Sequence, residues 1–118
     1  MSKRNDLLLI EDIIEACEKV ERYVSGITYD EFVKDDKTSD AVIRNFEIIG
    51  EAANRLSVDI FTNFENLNWR QIIGLRNRLI HGYFGVDYQI LWTIIFENLP
   101  TFKLQINEII NDLNKPKK

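Results

Sequence analysis

The chain has 118 residues, of which 45% are hydrophobic and 29% are charged, and its formal net charge is −4. This composition is typical of one compact core and argues against two domains and against a disordered chain. The single cysteine excludes an internal disulfide and a cysteine-cluster metal site. Because no apolar run is long enough to cross a bilayer and the N-terminus lacks the apolar segment of a signal peptide, we expect a cytoplasmic protein.

The first predicted helix runs from about Asp6 to Val24, because apolar residues recur along it at helical spacing. Its apolar side consists of Leu7, Ile10, Ile14, Cys17 and Val24. Gly26 is a typical helix stop, since glycine accepts the left-handed conformation that follows a helix. Cys17 lies on the apolar side, so we expect it to be a small buried side chain.

A short second helix is predicted from a capping box. Thr28 is followed three residues later by Glu31, and this spacing lets each side chain bond to the other residue's backbone. The helix continues to about Lys34. We expect the polar residues 35–38 to connect it to the next helix.

The third predicted helix begins with a cap supplied by Thr38 or Ser39 and continues to about residue 56. Its buried stripe consists of Val42, Phe46, Ile49, Ala53 and Leu56, at spacings of three and four residues. The opposite side carries Arg44, Glu51 and Arg55. Glu51 and Arg55 have the spacing of a solvated ion pair on a helix surface.

The fourth predicted helix follows an ambiguous region at residues 57–66 and begins at Trp69, with Asn68 as its cap. Its apolar stripe consists of Trp69, Ile72, Ile73 and Ile80. Arg76 falls in the middle of that stripe, where an arginine needs a partner because its guanidinium cannot lose its charge. Its side chain either extends to the surface or is held in a cleft to meet an anion.

The last predicted helix begins after Asp87 and keeps one apolar face on both sides of Pro100. That face consists of Tyr88, Leu91, Trp92, Ile95, Leu99, Phe102, Ile106, Ile109, Ile110 and Leu113. Because the apolar face keeps the same direction before and after the proline, we predict a single helix that is kinked at Pro100. Ile90 and Ile94 form a smaller second stripe, which predicts a second packing partner such as another copy of the chain.

These elements together predict an all-α, up-and-down bundle of four to five helices whose last helix is kinked at Pro100. We expect one domain over residues 1–114 and a lysine-rich tail over residues 115–118. The sequence contains no P-loop, His-Glu-x-x-His or cysteine-pair signature that would indicate an NTPase or a zinc protein.

Residues 66–86 contain no carboxylate side chain although the whole chain is acidic. The same stretch carries the basic residues Arg70, Arg76, Arg78 and His81. Such a segment is either a seat for a phosphate or a chance gap in charge. His81 is the single histidine, and by itself a histidine near a helix end is more often structural than catalytic.

The residues from Arg76 to Tyr83 form the pattern R-x4-H-x-Y, with Asn77 directly after the arginine. This pattern resembles that of the HepT toxins of the HEPN superfamily, which are paired with a small MNT-type nucleotidyltransferase antitoxin. The resemblance extends to residues 44–56, residues 68–70, residues 83–87, Trp92 and Leu99–Pro100. It therefore covers nearly the whole chain.

The resemblance implies a metal-independent endoribonuclease without a cofactor, which acts on RNA (tRNA is the substrate the family suggests) and is inhibited by its antitoxin. It implies that Arg76 and His81 are the catalytic pair and that Tyr83 is the site where the nucleotidyltransferase attaches adenylate. It also implies a homodimer with a composite cleft. Supporting positions are Asn77, Arg78, Glu51 and Arg44.

The chemistry of RNA suits this pair of residues, because the 2′-hydroxyl is a nucleophile within the substrate. An imidazole, with an unperturbed pKa of about 6.5, can accept the hydroxyl proton at neutral pH. A guanidinium can bind two oxygens of the transition state. Residues five apart differ by about 140° on an ideal helix, so Arg76 and His81 do not share a face unless the helix distorts or a two-fold dimer brings both motifs together.

Two alternatives remain at this point. The chain could be a HEPN subunit that presents nucleotide or substrate to a nucleotidyltransferase without cleaving RNA. It could also be a helical interaction domain in which Arg76 and His81 have no catalytic role. Loss of activity after substitution of either residue, with the fold retained, would distinguish the enzyme from both.

Overall fold

A computed structural model of the chain describes the backbone of residues 3–79 and 85–115, and the side chains of these residues except those of Lys3, Arg4 and Arg76. In the described part the regular elements are helical, as predicted. They are α1 (Lys3–Val24), α2 (Tyr29–Lys34), α3 (Asp36–Asn54), α4 (Val58–Asn63), α5 (Trp69–Ile73), α6 (Leu75–Leu79), α7 (Tyr88–Thr93), a π-helical turn (Ile94–Asn98) and α8 (Leu99–Leu113). None of the helices in these residues is long and apolar enough to span a bilayer.

The core lies where α1 packs against both α3 and α8. α3 also contacts α5 and α6. The α3 stripe predicted from the sequence is buried, and so is Cys17, where burial raises the pKa of the thiol from 9.0 to about 12. Cys17 is therefore a packing residue, as expected.

Three predicted helix starts are confirmed by their hydrogen bonds. The backbone N–H of Glu31 donates to Thr28 Oγ1 at 3.1 Å while the N–H of Thr28 donates to Glu31 Oε1 at 2.9 Å, which completes the capping box. The side chain of Asn68 accepts from the N–H of Gln71 at the start of α5. Asp87 caps α7 in the same way, and Gly26 has the predicted positive φ of 78°.

The start of α3 differs from the prediction. The helix begins at Asp36, so residues 35–38 form its cap and first turn rather than a connection, and neither Thr38 nor Ser39 is the cap. Asp35 accepts from the backbone N–H of Thr38 at 3.1 Å and from its hydroxyl at 2.6 Å. These hydrogen bonds hold the pKa of the Asp35 carboxyl below its usual range. The helix dipole favours a carboxylate at this end of the helix, so Asp35 caps α3 instead of the hydroxyl residues that follow it.

The number of helices is larger than the four to five expected, for two reasons. The ambiguous region after α3 contains α4, and the fourth predicted helix is two short helices, α5 and α6, separated at Gly74. The N–H of Gly74 still donates to the carbonyl of Arg70, and the N–H of Arg78 donates to the carbonyl of Gly74 at 3.3 Å. Backbone hydrogen bonds of helical spacing therefore continue across the break between α5 and α6.

The last helical run is continuous from Tyr88 to Leu113, as its unbroken phase predicts. The helical hydrogen-bonding pattern is irregular near Pro100, where a π-helical turn lies immediately before α8. Pro100 itself lies in the first turn of α8. The N–H of Leu99 bonds to the carbonyl of Ile94, five residues back, which accommodates a proline that cannot donate. Ile94 is only 7% exposed within the chain itself, so this position does not need a second copy to cover it.

Asp6 is an acidic residue held almost entirely inside the fold, with 4% exposure. Its carboxylate accepts from the backbone N–H of Ser57 at 2.9 Å and from the Ser57 hydroxyl at 2.6 Å. The two residues join the first turns of α1 to the segment between α3 and α4. A sequence separation of 51 makes this contact one of tertiary structure rather than of local capping.

We expect Asp6→Ala to lower the free energy of unfolding by about 2–4 kcal/mol, because it removes two charge-assisted hydrogen bonds and leaves the Ser57 N–H without its acceptor. Ser57→Ala, which removes one of the two bonds, should cost less. Chemical denaturation measures both. Asp12→Ala is the matched control, since Asp12 is an exposed carboxylate on the same helix; equal losses at Asp6 and Asp12 would contradict the assignment.

Candidate functional site

The position of α5 and α6 is set by a close approach of two backbones at Gly50. A Cβ atom on Gly50 would lie 3.0 Å from the carbonyl oxygen of Ile73 and 3.2 Å from that of Ile72. A larger residue would push the two backbones apart, so the glycine lets α3 rest this closely against the end of α5. Because α6 follows after a single residue, this contact also fixes the helix that carries Arg76 and Asn77.

A cleft with polar side chains in a partly apolar lining opens where α3 and α6 face each other, and we call it the α3–α6 cleft. Its volume is about 200 Å³. It is lined by Phe46, Glu47, Gly50, Glu51, Asn54, Ile73 and Asn77. The α3 side supplies two carboxylates and one amide, and the α6 side supplies the amide of Asn77, one residue after Arg76. The cleft therefore combines acidic groups that can orient a cation with amides that can donate to an oxyanion.

Two of the expected supporting residues form an ion pair on the rim of this cleft. Arg44 Nη1 lies 3.8 Å from Glu51 Oε1, and both side chains are more than half exposed. Glu51 thus pairs with the arginine two turns before it, whereas the sequence favoured Arg55. An exposed pair of this kind contributes about 0–1 kcal/mol to stability, so its charges remain available to a ligand at little cost.

Asn77 and Arg78 are neighbours in sequence but lie on opposite sides of α6. Asn77 lines the α3–α6 cleft, whereas Arg78 lines a separate cavity between α6 and the last helical run. The structure therefore brings together Glu51 and Asn77 from the predicted site residues, with Arg44 at the rim, and it places Arg78 elsewhere.

His81 and Tyr83 lie outside the described residues, as does the side chain of Arg76. The described chain on either side of residues 80–84 is held together, because the N–H of Asp87 donates to the carbonyl of Leu79 at 2.9 Å. Asp87 also caps α7. Leu79 and Asp87, which are described on either side of this segment, are therefore directly hydrogen-bonded.

Sequence reasoning did not select Glu47, Gly50 or Asn54 as site residues, although all three line the cleft. They recur with Glu51 at spacings of three and four residues along α3, and this is the signal that places them on one face. A polar stripe on a helix is ordinarily predicted to face solvent. The contact of α3 with α6 shows that this stripe faces a cleft.

The structure is a small helical bundle with a cleft beside an Arg-Asn pair on a short helix. Comparison with known proteins shows the family to which such a chain belongs. The model of the family described as "Ribonuclease HepT-like" matches residues 13–109. A Methanocaldococcus jannaschii protein named "Putative RNase" is 38% identical over 96% of this chain and 93% of its own length. A second such protein from this organism is 42% identical over 90% of this chain and 97% of its own.

A third relative, from Thermococcus cleftensis, is named "Probable ribonuclease HepT" and is 41% identical over 86% of this chain and 92% of its own length. No solved protein structure matches the chain significantly. The chain therefore belongs to the HepT-like ribonuclease family of the HEPN superfamily.

Proposed function

We propose that this protein is a metal-independent endoribonuclease that acts in the cytoplasm as the toxin of a HEPN/MNT-type toxin–antitoxin pair. Its substrate is RNA, with tRNA as the class that the resemblance suggests. The antitoxin is an MNT-type nucleotidyltransferase that neutralises the toxin by adenylylating Tyr83. The observation that carries the proposal is the match over most of the chain to a ribonuclease family and to relatives with ribonuclease names.

In the proposed reaction the 2′-hydroxyl of the substrate attacks the adjacent phosphorus and transfers its proton to the imidazole of His81. The bond from phosphorus to the 5′ oxygen breaks, which leaves a 2′,3′-cyclic phosphate and a 5′-hydroxyl end. Arg76 binds the phosphate oxygens as negative charge accumulates on them. The nucleophile belongs to the substrate, so the step needs proton transfer and charge stabilisation and no metal-bound water.

The residues that line the α3–α6 cleft also support this proposal. Glu47 and Glu51 are carboxylates of the appropriate charge to orient the Arg76 guanidinium, and Asn77 can donate to a phosphate oxygen. A single imidazole cannot act as base and as acid in the same step. A homodimer that brings two copies of the motif to one cleft would supply the second imidazole, which protonates the leaving 5′ oxygen.

Adenylylation of Tyr83 would inhibit the enzyme through charge and bulk. The phosphate of an adenylate carries a negative charge into a site built to bind the phosphate of RNA, so it competes for the Arg76 guanidinium. The adenosine would occupy the space needed by the substrate.

We expect protein purified without its nucleotidyltransferase to cut cellular RNA in the presence of EDTA. The same protein made together with that partner should gain the mass of one or more adenylates on Tyr83 and lose the activity. Intact mass and gel analysis of the RNA ends measure the two effects. Tyr83→Phe is the control, since it should cut RNA and remain active beside the partner.

Failure of unmodified protein to cut any cellular RNA would refute the enzyme. If the same protein nevertheless bound nucleotide and assembled with the nucleotidyltransferase, the chain would instead be a non-catalytic subunit of that complex. Inhibition without a mass increase would refute the assignment to Tyr83 and leave the ribonuclease in place.

A further inference from the structure

A second concave site lies on the far side of α6 from the α3–α6 cleft, and we call it the α6–α8 pocket. It is an open pocket of about 120 Å³ lined by residues of α3, α5, α6, the π-helical turn and α8. Its walls are apolar and include Ile49, Ile72, Leu75, Ile94, Leu99 and Phe102. Its rim carries the polar side chains of Gln71, Arg78 and Asn98. An apolar interior with a few converging polar groups is the usual form of a small-molecule site.

The size of the pocket indicates what can enter it. An engineered cavity of about 150 Å³ lined by leucine, isoleucine and phenylalanine binds benzene. The α6–α8 pocket is slightly smaller and has the same kind of lining, so it suits one six-membered ring better than two fused rings. Ile49 and Leu99 in its walls belong to the buried core, which makes the cavity preformed.

The rim supplies hydrogen bonds of the kind that the edge of a nucleobase needs. Gln71 and Asn98 are exposed amides, each with donors and an acceptor. Asn98 is the last residue of the π-helical turn, a type of irregularity that is frequent at functional sites. An adjoining groove of about 280 Å³ shares both amides and Ile72 with the pocket, so a ligand can continue beyond it.

Arg78 gives the rim a positive charge that the described residues leave unneutralised. No carboxylate in residues 5–79 and 85–115 forms an ion pair with it. Glu97 lines the adjoining groove and not the pocket. A phosphate attached to a bound base would therefore be attracted to the α6 side of the rim.

We propose that the α6–α8 pocket binds a pyrimidine base of the RNA, with Gln71 and Asn98 at the base edge and Arg78 on its phosphate. This inference rests on the proposed ribonuclease function and assigns part of its substrate specificity. Asn77 and Arg78 are successive residues on opposite sides of α6, so one RNA strand crossing this short helix can reach both the pocket and the α3–α6 cleft. The pocket would select the nucleotide beside the bond that is cut.

The direct test is a titration of the protein with UMP and with AMP, followed by NMR of the methyl groups. We expect UMP to shift the signals of Ile72, Ile94 and Leu99 saturably and to bind several-fold more tightly than AMP. Arg78→Ala should weaken UMP binding about tenfold, as expected for loss of a hydrogen bond to a charged group. Arg70→Ala is the matched control, because Arg70 is an exposed arginine on α5 that does not line the pocket.

A second measurement compares Gln71→Ala with Gln89→Ala, an exposed glutamine on α7 outside the pocket. On RNA substrates we expect Gln71→Ala to reduce the preference for pyrimidine at one position beside the cut, and Gln89→Ala to leave that preference unchanged. Unchanged base preference together with loss of cutting in His81→Ala would refute the pocket and keep the ribonuclease. Selective UMP binding by a protein that cuts no RNA would refute the ribonuclease and keep the pocket.

Two further results would overturn the inference. One is equal binding of UMP by the Arg78→Ala and Arg70→Ala variants, which would place the phosphate elsewhere. The other is a dimer that Asn98→Ala dissociates in sedimentation experiments while UMP leaves the pocket signals unchanged. In that case the pocket would hold a side chain from a second copy and not a base.

Discussion

His81→Ala is expected to lower the rate of RNA cleavage by about 100- to 10,000-fold, the usual range for loss of a general acid–base group. Arg76→Ala should lower the rate by about 100- to 1,000-fold, because it removes the group that we propose stabilises the developing charge on the phosphate. Arg76→Lys should recover only part of the rate, since an ammonium cannot bind two oxygens in a fixed plane. Single-turnover cleavage of a defined RNA measures all three rates.

The controls for this prediction separate chemistry from folding. Each variant should retain the helical circular dichroism spectrum and the unfolding free energy of the original protein within about 1 kcal/mol. Arg70→Ala, which removes an exposed arginine from α5, should cut RNA at nearly the original rate if Arg76 acts by position and not only by charge. Free imidazole in the buffer should restore part of the activity of His81→Ala. Full activity in either Arg76→Ala or His81→Ala would overturn the catalytic assignment.

Much of the fold follows from local patterns, because capping and amphipathicity depend on residues close together in the chain. Thr28 with Glu31, Asn68 and Asp87 start their helices as predicted. The prediction was wrong at Asp35, because this polar stretch also offers Thr38 and Ser39 as possible caps. It was also wrong about the continuity of the fourth helix, since the apolar spacing from Trp69 onwards does not reveal the break at Gly74.

The candidate site was less accessible to sequence reasoning because its surroundings come from distant segments. The pattern R-x4-H-x-Y selects Arg76 and Asn77, yet nothing in it indicates that Asn77 faces α3 while Arg78 faces α8. The buried pairing of Asp6 with Ser57 is likewise a contact between segments 51 residues apart. That α3 side chains such as Asn54 line a cleft is seen only once α6 is placed against them.

Gly50→Ala is expected to lower the unfolding free energy by about 1–3 kcal/mol, the range for overpacking a close contact. In an unconstrained helix the same change would be stabilising by about 0.5–1 kcal/mol, since alanine is the better helix former. At Gly50 the added methyl would lie 3.0 Å from the carbonyl oxygen of Ile73 and 3.2 Å from that of Ile72. Neither atom is the end of a flexible side chain, so α5 must move away from α3.

The same movement should reach the proposed catalytic residue Arg76, because α6 follows α5 after one residue and carries it. The neighbouring backbone has to shift by a few tenths of an ångström to admit the methyl group. We therefore expect Gly50→Ala to reduce RNA cleavage by about tenfold, less than the roughly 100-fold that a full 1 Å misplacement can cost, measured at a temperature where the variant is still folded. Gly74→Ala is the matched control for stability, since its added Cβ would meet one carbonyl oxygen at 3.3 Å and φ there is −87°. A Gly50→Ala protein as stable and active as the original would show that α3 and α5 tolerate separation, and the α3–α6 cleft would then lose its structural basis.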